Sequence, residues 1–258
     1  MRLKQNTLNQ AKAQRFCAQN FLNAIILYPK QKTLAQQLGA NTYPLLLFLD
    51  ENGKEFARIP GYRPLPVYLY QIKDIAQTYQ LWQKAQKIIP QNPQHPLVLY
   101  AKAKRLRLQG KPQQAIPLFK QTLKSLKTEE TSKRLSCHYE LAKIYYRLRN
   151  RNQAIQHAKK VIQLDPNNQY KKTDEMYITL SASYFFQKNY AKAFQIMEKN
   201  IQIFHNSPYA AQAYHLWGVY AFYTKRKQKA KQIWQKGIQL YPKSPWSKRS
   251  QRYLPYTK

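Results

Sequence analysis

The sequence predicts an α-rich α+β fold, in which a curved stack of about four helix pairs follows a small α/β domain. Two observations predict it. After residue 94, small and bulky residues recur with a period of about 34 residues. Before residue 79, an apolar run, an Asn-Gly dipeptide and an alternating run follow one another, as two paired strands would. The predicted limits are therefore 1–79 for the α/β domain, 80–93 for a helical connector and 94–258 for the stack.

The α/β domain is indicated by short runs of strand-forming residues. An apolar, β-branched run covers residues 21–28, and the continuous run LLLFLD at 45–50 is typical of a buried central strand. The dipeptide Asn52-Gly53 favours a tight hairpin turn. The following run KEFARI, residues 54–59, alternates as a second strand should.

One long helix or two abutting helices are predicted from near Pro64 to Ile89 and lead into the repeats. Within each repeat, small residues let two helices approach closely, and bulky residues fill the gaps beside them. The small residues are Ala142, Ala154, Ser181, Ala193, Gly218 and Ala230, and the bulky ones are Tyr145, Tyr184, Trp217 and Trp234. Pro166 and Pro242 end the second helix of their pairs, because proline disfavours a helical residue before it. One pair cannot bury its apolar face alone, so the pairs must stack.

The repeat windows resemble the tetratricopeptide family over most of residues 94–242. The segment LAQQLGANTYPLLLFLDENGKEFARIPGY, at 34–62, resembles the C-terminal half of the thioredoxin fold. This second resemblance implies a cis-proline at Tyr43-Pro44. It also implies a truncated domain that lacks the CxxC segment, since Cys17 and Cys137 are the two cysteines and lie far apart. Both thiols are expected to be small buried side chains without redox chemistry.

The charge is strongly positive and unevenly distributed. Residues 1–79 hold 10 basic and four acidic residues, whereas 80–258 hold 34 and seven, and the whole chain carries a formal charge of +33. Such a surface attracts acidic proteins, polyanions or anionic headgroups. A general preference of the source proteome for Lys and Gln explains the same numbers equally well at this stage.

The tetratricopeptide resemblance also implies a ligand groove along the first helix of each pair. Its contact offsets select a set of mostly aromatic and basic residues. They are Tyr100, Lys104, Arg107, Tyr139, Lys143, Tyr146, Arg147, Phe186, His215 and Tyr223, with Ile178, Phe185 and Phe222 beside them. A groove of this kind suits an acidic or carboxylate-bearing peptide. The alternative is that the aromatic residues pack between repeats and the basic ones form a solvated face.

Other chemistry has few candidates in the sequence. The five histidines lack metal-ligand spacing, and we find no Gly-rich phosphate loop, nucleophile elbow or pair of carboxylates, so no cofactor is predicted. No apolar run is long enough to span a membrane. The first 20 residues lack the apolar segment of a secretory signal, so a cytoplasmic location is expected; a periplasmic one is the alternative if an upstream signal has been lost.

Three functions remain after this reading. The leading hypothesis is a scaffold that binds a partner protein or acidic peptide through the repeat groove, with a redox-inactive thioredoxin-like domain. The second is a thiol–disulfide oxidoreductase or redox chaperone whose CxxC segment is missing from this chain. The third is a basic arm that binds nucleic acid non-specifically, which ranks last because no nucleic-acid-binding module is recognisable.

Overall fold

Helices dominate the computed structural model, which describes residues 3–22, 30–63 and 65–257. The chain forms two compact units, Met1–Ser125 and Leu126–Lys258. The first unit thus holds the α/β domain together with the first helix pair of the predicted stack. The predicted domain limits stay a prediction, since compactness groups helices by packing and does not define where a domain ends.

The first unit contains a two-stranded antiparallel sheet, as the sequence predicts. Strand β1, Leu45–Leu49, pairs with β2, Glu55–Pro60, and the pairing shifts between Phe48 and Leu49. The turn between them has Gly53 at a φ of +71°, a conformation that glycine adopts without a steric penalty. The Asp50 carboxylate closes the turn by accepting hydrogen bonds from the backbone N–H groups of Asn52 (3.1 Å) and Lys54 (2.9 Å).

The described residues of the first unit also form six helical segments. They are a π-helical turn at Lys4–Leu8, α1 at Ala11–Asn20, α2 at Lys32–Gln37, α3 at Leu65–Ile88, α4 at Pro96–Leu108 and α5 at Pro112–Ser125. Helix α3 confirms the long predicted helix. Its buried Ile72 and Ile75 pack with Phe56 and Ile59 of β2 to form the core. The strand predicted at 21–28 falls largely on residues 23–29, which lie outside the described residues.

The second unit consists of three helix pairs and a terminal helix. The pairs are α6 (Thr131–Arg147) with α7 (Arg151–Leu164), α8 (Thr173–Phe186) with α9 (Tyr190–Ile203), and α10 (Ala210–Tyr223) with α11 (Lys227–Leu240). Helix α12 (Pro245–Tyr253) and a short 3₁₀ turn (Leu254–Thr257) follow. Together with α4 and α5, the described residues form the four predicted helix pairs, and α12 packs on α10 and α11 as a capping helix.

The turn inside each pair has the same backbone shape. Arg149, Lys188 and Lys225 adopt φ values of 61°, 62° and 62°, and each stands between the two helices of its pair. In the first two of these turns, the next residue caps the second helix. The Asn150 side chain accepts from the Gln153 N–H, and the Asn189 side chain accepts from the Lys192 N–H. The recurrence of one turn geometry gives the pairs one mode of packing.

Helices α10 and α11 approach each other closely at glycine positions. A Cβ atom at Gly218 would lie 2.2 Å from Nε1 of Trp234, whose side chain is fully buried. The same indole N–H donates to the His215 carbonyl oxygen at 3.0 Å. In the pair before, the Ser181 hydroxyl donates to the Ala193 carbonyl oxygen at 2.7 Å. Small residues therefore bring the two helices of a pair together, and the bulky residues beside them fill the core.

Candidate partner-binding groove

The first helices of the three pairs in the second unit line one open cleft, which we call the inner groove. It has a volume of about 700 Å³ and is formed by α6, α8 and α10. Helix α6 contributes Lys143, Tyr146 and Arg147, and α8 contributes Glu175, Ile178, Thr179, Ala182, Phe185 and Phe186. Helix α10 contributes Gln212, Leu216, Val219, Tyr220 and Tyr223, and Tyr209 stands directly before that helix. Most of these positions recur three or four residues apart, so one stripe of each helix faces the groove.

The floor of the groove is aromatic. Phe185 of α8 stacks on Tyr220 of α10 with ring centroids 4.2 Å apart and planes inclined by 15°. Burial raises the pKa of both Tyr220 and Tyr146, so both phenols stay neutral over the physiological range. Above this floor, Phe186 and Tyr223 are 58% and 68% exposed. Large rings exposed beside an apolar floor offer contact area to a ligand.

Glu175 organises the polar side of the groove. Its carboxylate lies 3.0 Å from Nζ of Lys143 and accepts hydrogen bonds from the hydroxyls of Tyr139 and Tyr209, the latter at 3.1 Å. Lys143 also donates to the Tyr139 hydroxyl oxygen at 2.8 Å. The charge of Lys143 is therefore largely neutralised inside the protein.

Two arginines give the α6 end of the groove its positive charge. Arg151, the first residue of α7, has its guanidinium 4.7 Å from the ring centroids of both Tyr146 and Phe186. It also donates to the Tyr146 carbonyl oxygen at 2.7 Å. Arg147 is exposed and forms no ion pair with any residue in the described part of the chain. A ligand carboxylate at this end would therefore find Arg147 available.

Five of the ten residues predicted from the sequence line this groove, and Tyr139 lies buried directly behind Glu175. His215 does not line it. Its Nδ1 lies 3.0 Å from the Ser250 hydroxyl oxygen, and its ring packs against Trp246 and Tyr253 under the capping helix. Burial, followed by the charge of Arg249, lowers the pKa of His215 to about 4.

The three predicted residues of the first pair belong to the first unit, where their side chains are engaged within that unit. Nζ of Lys104 lies 2.7 Å from one Asp74 oxygen, and an Nη atom of Arg107 lies 2.5 Å from the other. Tyr100 packs edge-on against Phe119 at 5.6 Å. Burial raises the pKa of Asp74, but the charges of Arg107 and Lys104 outweigh it and hold that pKa below its ordinary value.

Sequence reasoning missed Glu175, Tyr209 and Tyr220. Helical spacing carries a signal for Tyr220, which lies on the same stripe of α10 as Leu216 and Tyr223. Tyr209 stands directly before that helix. Glu175 gave no such signal, because its role depends on the Lys143 and Tyr139 side chains of another helix.

The thioredoxin-like features of the first unit hold no dithiol among the described residues. The Tyr43–Pro44 peptide bond is cis, and the Tyr43 side chain is half-exposed. Sγ of Cys17 lies 3.3 Å from the Tyr68 hydroxyl, and both cysteines are free thiols. In the second unit, burial, with a further contribution from Glu140, raises the pKa of Cys137 to about 12.

Two other features are absent from the described residues, a metal-binding cluster and a membrane-spanning helix. No cluster of three or more His, Cys, Asp or Glu side chains there could hold a metal ion. Among the helices described, none combines the length and the apolar character that crossing a membrane requires.

Comparison with known proteins supports both halves of the architecture. Residues 2–76 match a model of the thioredoxin-like domain, and residues 136–168 match a model of the tetratricopeptide repeat. No curated protein sequence gives a significant match. Residues 2–76 thus resemble a thioredoxin-like domain, and the helix pairs that follow resemble tetratricopeptide repeats.

Several solved structures share the repeat fold. BtubC (BKLC) from P. vanneervenii superposes with a TM-score of 0.56 at 14% identity, covering 72% of this chain and 82% of its own. YrrB, described as a tetratricopeptide protein with an unusual peptide-binding site, gives 0.54 at 13%, covering 70% and 87%. A putative kinesin light chain with nearly identical repeats from Podosopora anserina gives 0.52 at 18%, covering 65% and 86%. Identities this low show a shared fold alone.

Proposed function

We propose that this chain is a protein-interaction scaffold, and that the inner groove of its tetratricopeptide region holds a segment of a partner protein. The observation that carries the proposal is the groove itself, a cleft of about 700 Å³ with Phe186 and Tyr223 exposed above a stacked aromatic floor. Tyrosine and arginine are the residue types that carry most binding energy at protein interfaces, and the groove supplies both. A related fold, that of YrrB, is described as having a peptide-binding site.

The lining defines the ligand we propose. A bulky apolar side chain would pack on Phe185 and Tyr220, where it removes apolar surface from water. A carboxylate would lie at the α6 end, where Arg147 is exposed and can form a charge-assisted hydrogen bond. A second carboxylate near Glu175 would be repelled, because that side chain already takes up Lys143. The partner segment is therefore apolar with an acidic residue at one end.

A displayed peptide library tests the groove directly. We expect selection on the full chain to enrich peptides with an aromatic or large aliphatic residue and an acidic residue on its α6 side. Tyr223→Ala and Phe186→Ala should each weaken the enriched peptide by about tenfold, since a truncated interface anchor costs more than about 1 kcal/mol. Fluorescence anisotropy of the labelled peptide measures this. The matched control is Tyr256→Ala, whose side chain is 65% exposed and lies outside the groove.

A variant and its matched control test the positive charge at the α6 end of the groove. Arg147→Glu should weaken the same peptide by tenfold or more, by a rough estimate from charge-assisted hydrogen bonds. Arg252→Glu introduces the same charge change at another arginine in the last turn of a helix, α12, and should change affinity little. If Tyr223→Ala and Tyr256→Ala affect binding equally, the inner groove does not hold the peptide and the proposal is wrong.

A further inference from the structure

A second cavity lies on the opposite helices of the same unit, and we call it the outer pocket. It has a volume of about 430 Å³ and lies between α7 and α9, the second helices of two neighbouring pairs, with α8 beneath it. Its floor consists of the buried Tyr177, Leu180 and Tyr184 of α8. Its walls are Ile162 of α7 and Ile196 of α9, both half-buried. The bottom of the pocket is therefore apolar and recessed.

The rim of the pocket is basic. Lys159 of α7 and Lys192 and Lys199 of α9 line it, and all three are exposed. Nζ of Lys159 lies 5.8 Å, and Nζ of Lys192 5.6 Å, from the ring centroid of Tyr184. These cation–π contacts hold two ammonium groups over the mouth of the pocket.

The rim charges are not compensated by the protein. The residues that line the outer pocket include no Asp or Glu. Lys159, Lys192 and Lys199 form no ion pair with any residue within the ranges 3–22, 30–63 and 65–257. The inner groove differs, because there Glu175 faces Lys143. Three like charges around one apolar floor repel each other, and an anionic ligand would relieve that repulsion.

We propose that the outer pocket is a second docking site, which binds an acidic amphipathic helix of a partner protein. One bulky apolar side chain of that helix would enter the pocket, and its carboxylates would meet the three lysines. The α9 side of the rim runs from Lys192 to Lys199, a length of about 10 Å, which matches roughly two turns of a ligand helix.

The shape of the pocket favours a helix over a membrane. A flat bilayer surface would meet the lysines but could not reach a floor recessed beneath them. A projecting side chain on a helix can do so. The scaffold would then hold two different segments, one in the inner groove and one in the outer pocket.

The test uses a synthetic amphipathic peptide of roughly five helical turns, with Leu on one face and Glu flanking it, and a matched peptide in which Gln replaces Glu. Anisotropy is measured on the full chain near 0.15 M salt, where long-range attraction is screened beyond about 8 Å. We expect the Glu peptide to bind at least about tenfold more tightly than the Gln peptide, because three carboxylate–lysine contacts each add a modest increment.

Two triple variants separate the pocket from general charge. K159E/K192E/K199E should weaken the Glu peptide by about tenfold or more, while K231E/K236E/K243E, with the same charge change at exposed lysines elsewhere in the unit, should weaken it by less than about threefold. Equal losses would mean non-specific attraction and would overturn the proposal. Ile196→Ser should also weaken binding; an unchanged affinity there would reduce the site to a charged patch and overturn it as well.

Two further measurements assign the binding site. Tyr223→Ala should leave the peptide bound, since that ring lies in the inner groove; a loss would place the peptide there and overturn the outer pocket. Binding of neither peptide would also overturn it. Vesicles of phosphatidylserine and phosphatidylcholine form the last arm. If only vesicle binding depends on Lys159, Lys192 and Lys199, the pocket is a lipid site and the peptide proposal is wrong.

Discussion

Helix α4 of the first unit and helix α6 of the second present the same pair of residues and use it differently. In each, a tyrosine precedes a lysine by four positions, Tyr100 with Lys104 and Tyr139 with Lys143. Lys104 shares Asp74 of α3 with Arg107, and the cluster is mostly buried. Lys143 shares Glu175 with two tyrosine hydroxyls at the edge of an open groove. The same motif is thus part of a core in one unit and part of a binding surface in the other.

The comparison teaches that a repeat register fixes where a side chain points and leaves its electrostatic role open. That role depends on acidic residues contributed by other helices. Asp74 lies on α3, before the repeats, and Glu175 lies in the next pair along. Only Arg147, for which the described residues offer no acidic partner, remains available as a ligand contact among the basic residues predicted for the groove.

The largest effect is expected at Asp74. Asp74→Ala should destabilise the chain by about 3 kcal/mol, because it leaves the ammonium of Lys104 and the guanidinium of Arg107 mostly buried without their shared carboxylate. Urea denaturation measures the change. The control is Glu129→Ala, at an exposed acidic residue, which should cost less than about 0.5 kcal/mol. A loss below about 1 kcal/mol at Asp74 would mean that the cluster is not a core element.

A smaller effect is expected at the corresponding carboxylate of the second unit. Glu175→Gln should cost about 1 kcal/mol, since the amide oxygen still accepts from Tyr139 and Tyr209 and only the attraction to Lys143 is lost. Because the negative charge of Glu175 no longer repels a ligand carboxylate, the affinity of the groove for a carboxylate-bearing peptide should rise. Anisotropy and urea denaturation on one preparation test both parts. Glu198→Gln, at an exposed residue of α9, should change neither, and a fall in affinity at Glu175→Gln would contradict the assignment.

The two units should also lose stability in different pH ranges. Burial, then the charges of Arg134 and Lys160, lowers the pKa of His138 to about 4, and His215 behaves similarly. A histidine with a lowered pKa binds more protons when unfolded, so its contribution is complete above pH 6.5 and is lost as pH falls towards 4. The lowered pKa of Asp74 makes the first unit lose stability only at a lower pH. Its contribution is complete above the ordinary value of 3.8 and is lost only below it.

Hydrogen exchange followed by mass spectrometry, corrected for intrinsic rates, separates the units. Between pH 6.5 and 4.5 we expect protection to fall in α6 and α7 and to hold in α3 and α4. His138→Asn should flatten the fall, because the amide can still bond to Nδ1 of His157, which lies 2.8 Å from Nδ1 of His138, and cannot become charged. His205→Asn, at an exposed histidine, should leave it unchanged. Equal losses in both units would refute the histidine explanation.

The sequence carried enough information for the fold and for part of the groove. Gly218 and Trp234 meet because a glycine and an indole stand at matching offsets, and such local complementarity can be read from one chain. The helical spacing of α8 likewise places Phe186 in the lining of the cleft, where its role in binding stays a prediction. His215 was wrong as a groove residue because α12 covers that side of α10, and a capping helix changes which stripe stays open. The sequence could not distinguish the buried ion pairs of Lys104 and Arg107 from the groove positions of Lys143 and Arg147. The acidic residues that decide these roles, Asp74 and Glu175, lie on helices outside the repeat concerned.

The smallest effect is the sharpest test of the comparison. Arg147→Ala should change the free energy of unfolding by less than about 0.5 kcal/mol, because an exposed side chain without an acidic partner in the described structure contributes little to stability. Arg107→Ala should cost about 2 kcal/mol, since it removes one of the two cations that balance the buried Asp74. Peptide affinity should show the reverse order, with a loss at Arg147 and none at Arg107. If Arg147→Ala lowers stability as much as Arg107→Ala, then Arg147 belongs to the packing of the second unit, and the positive end of the inner groove is structural.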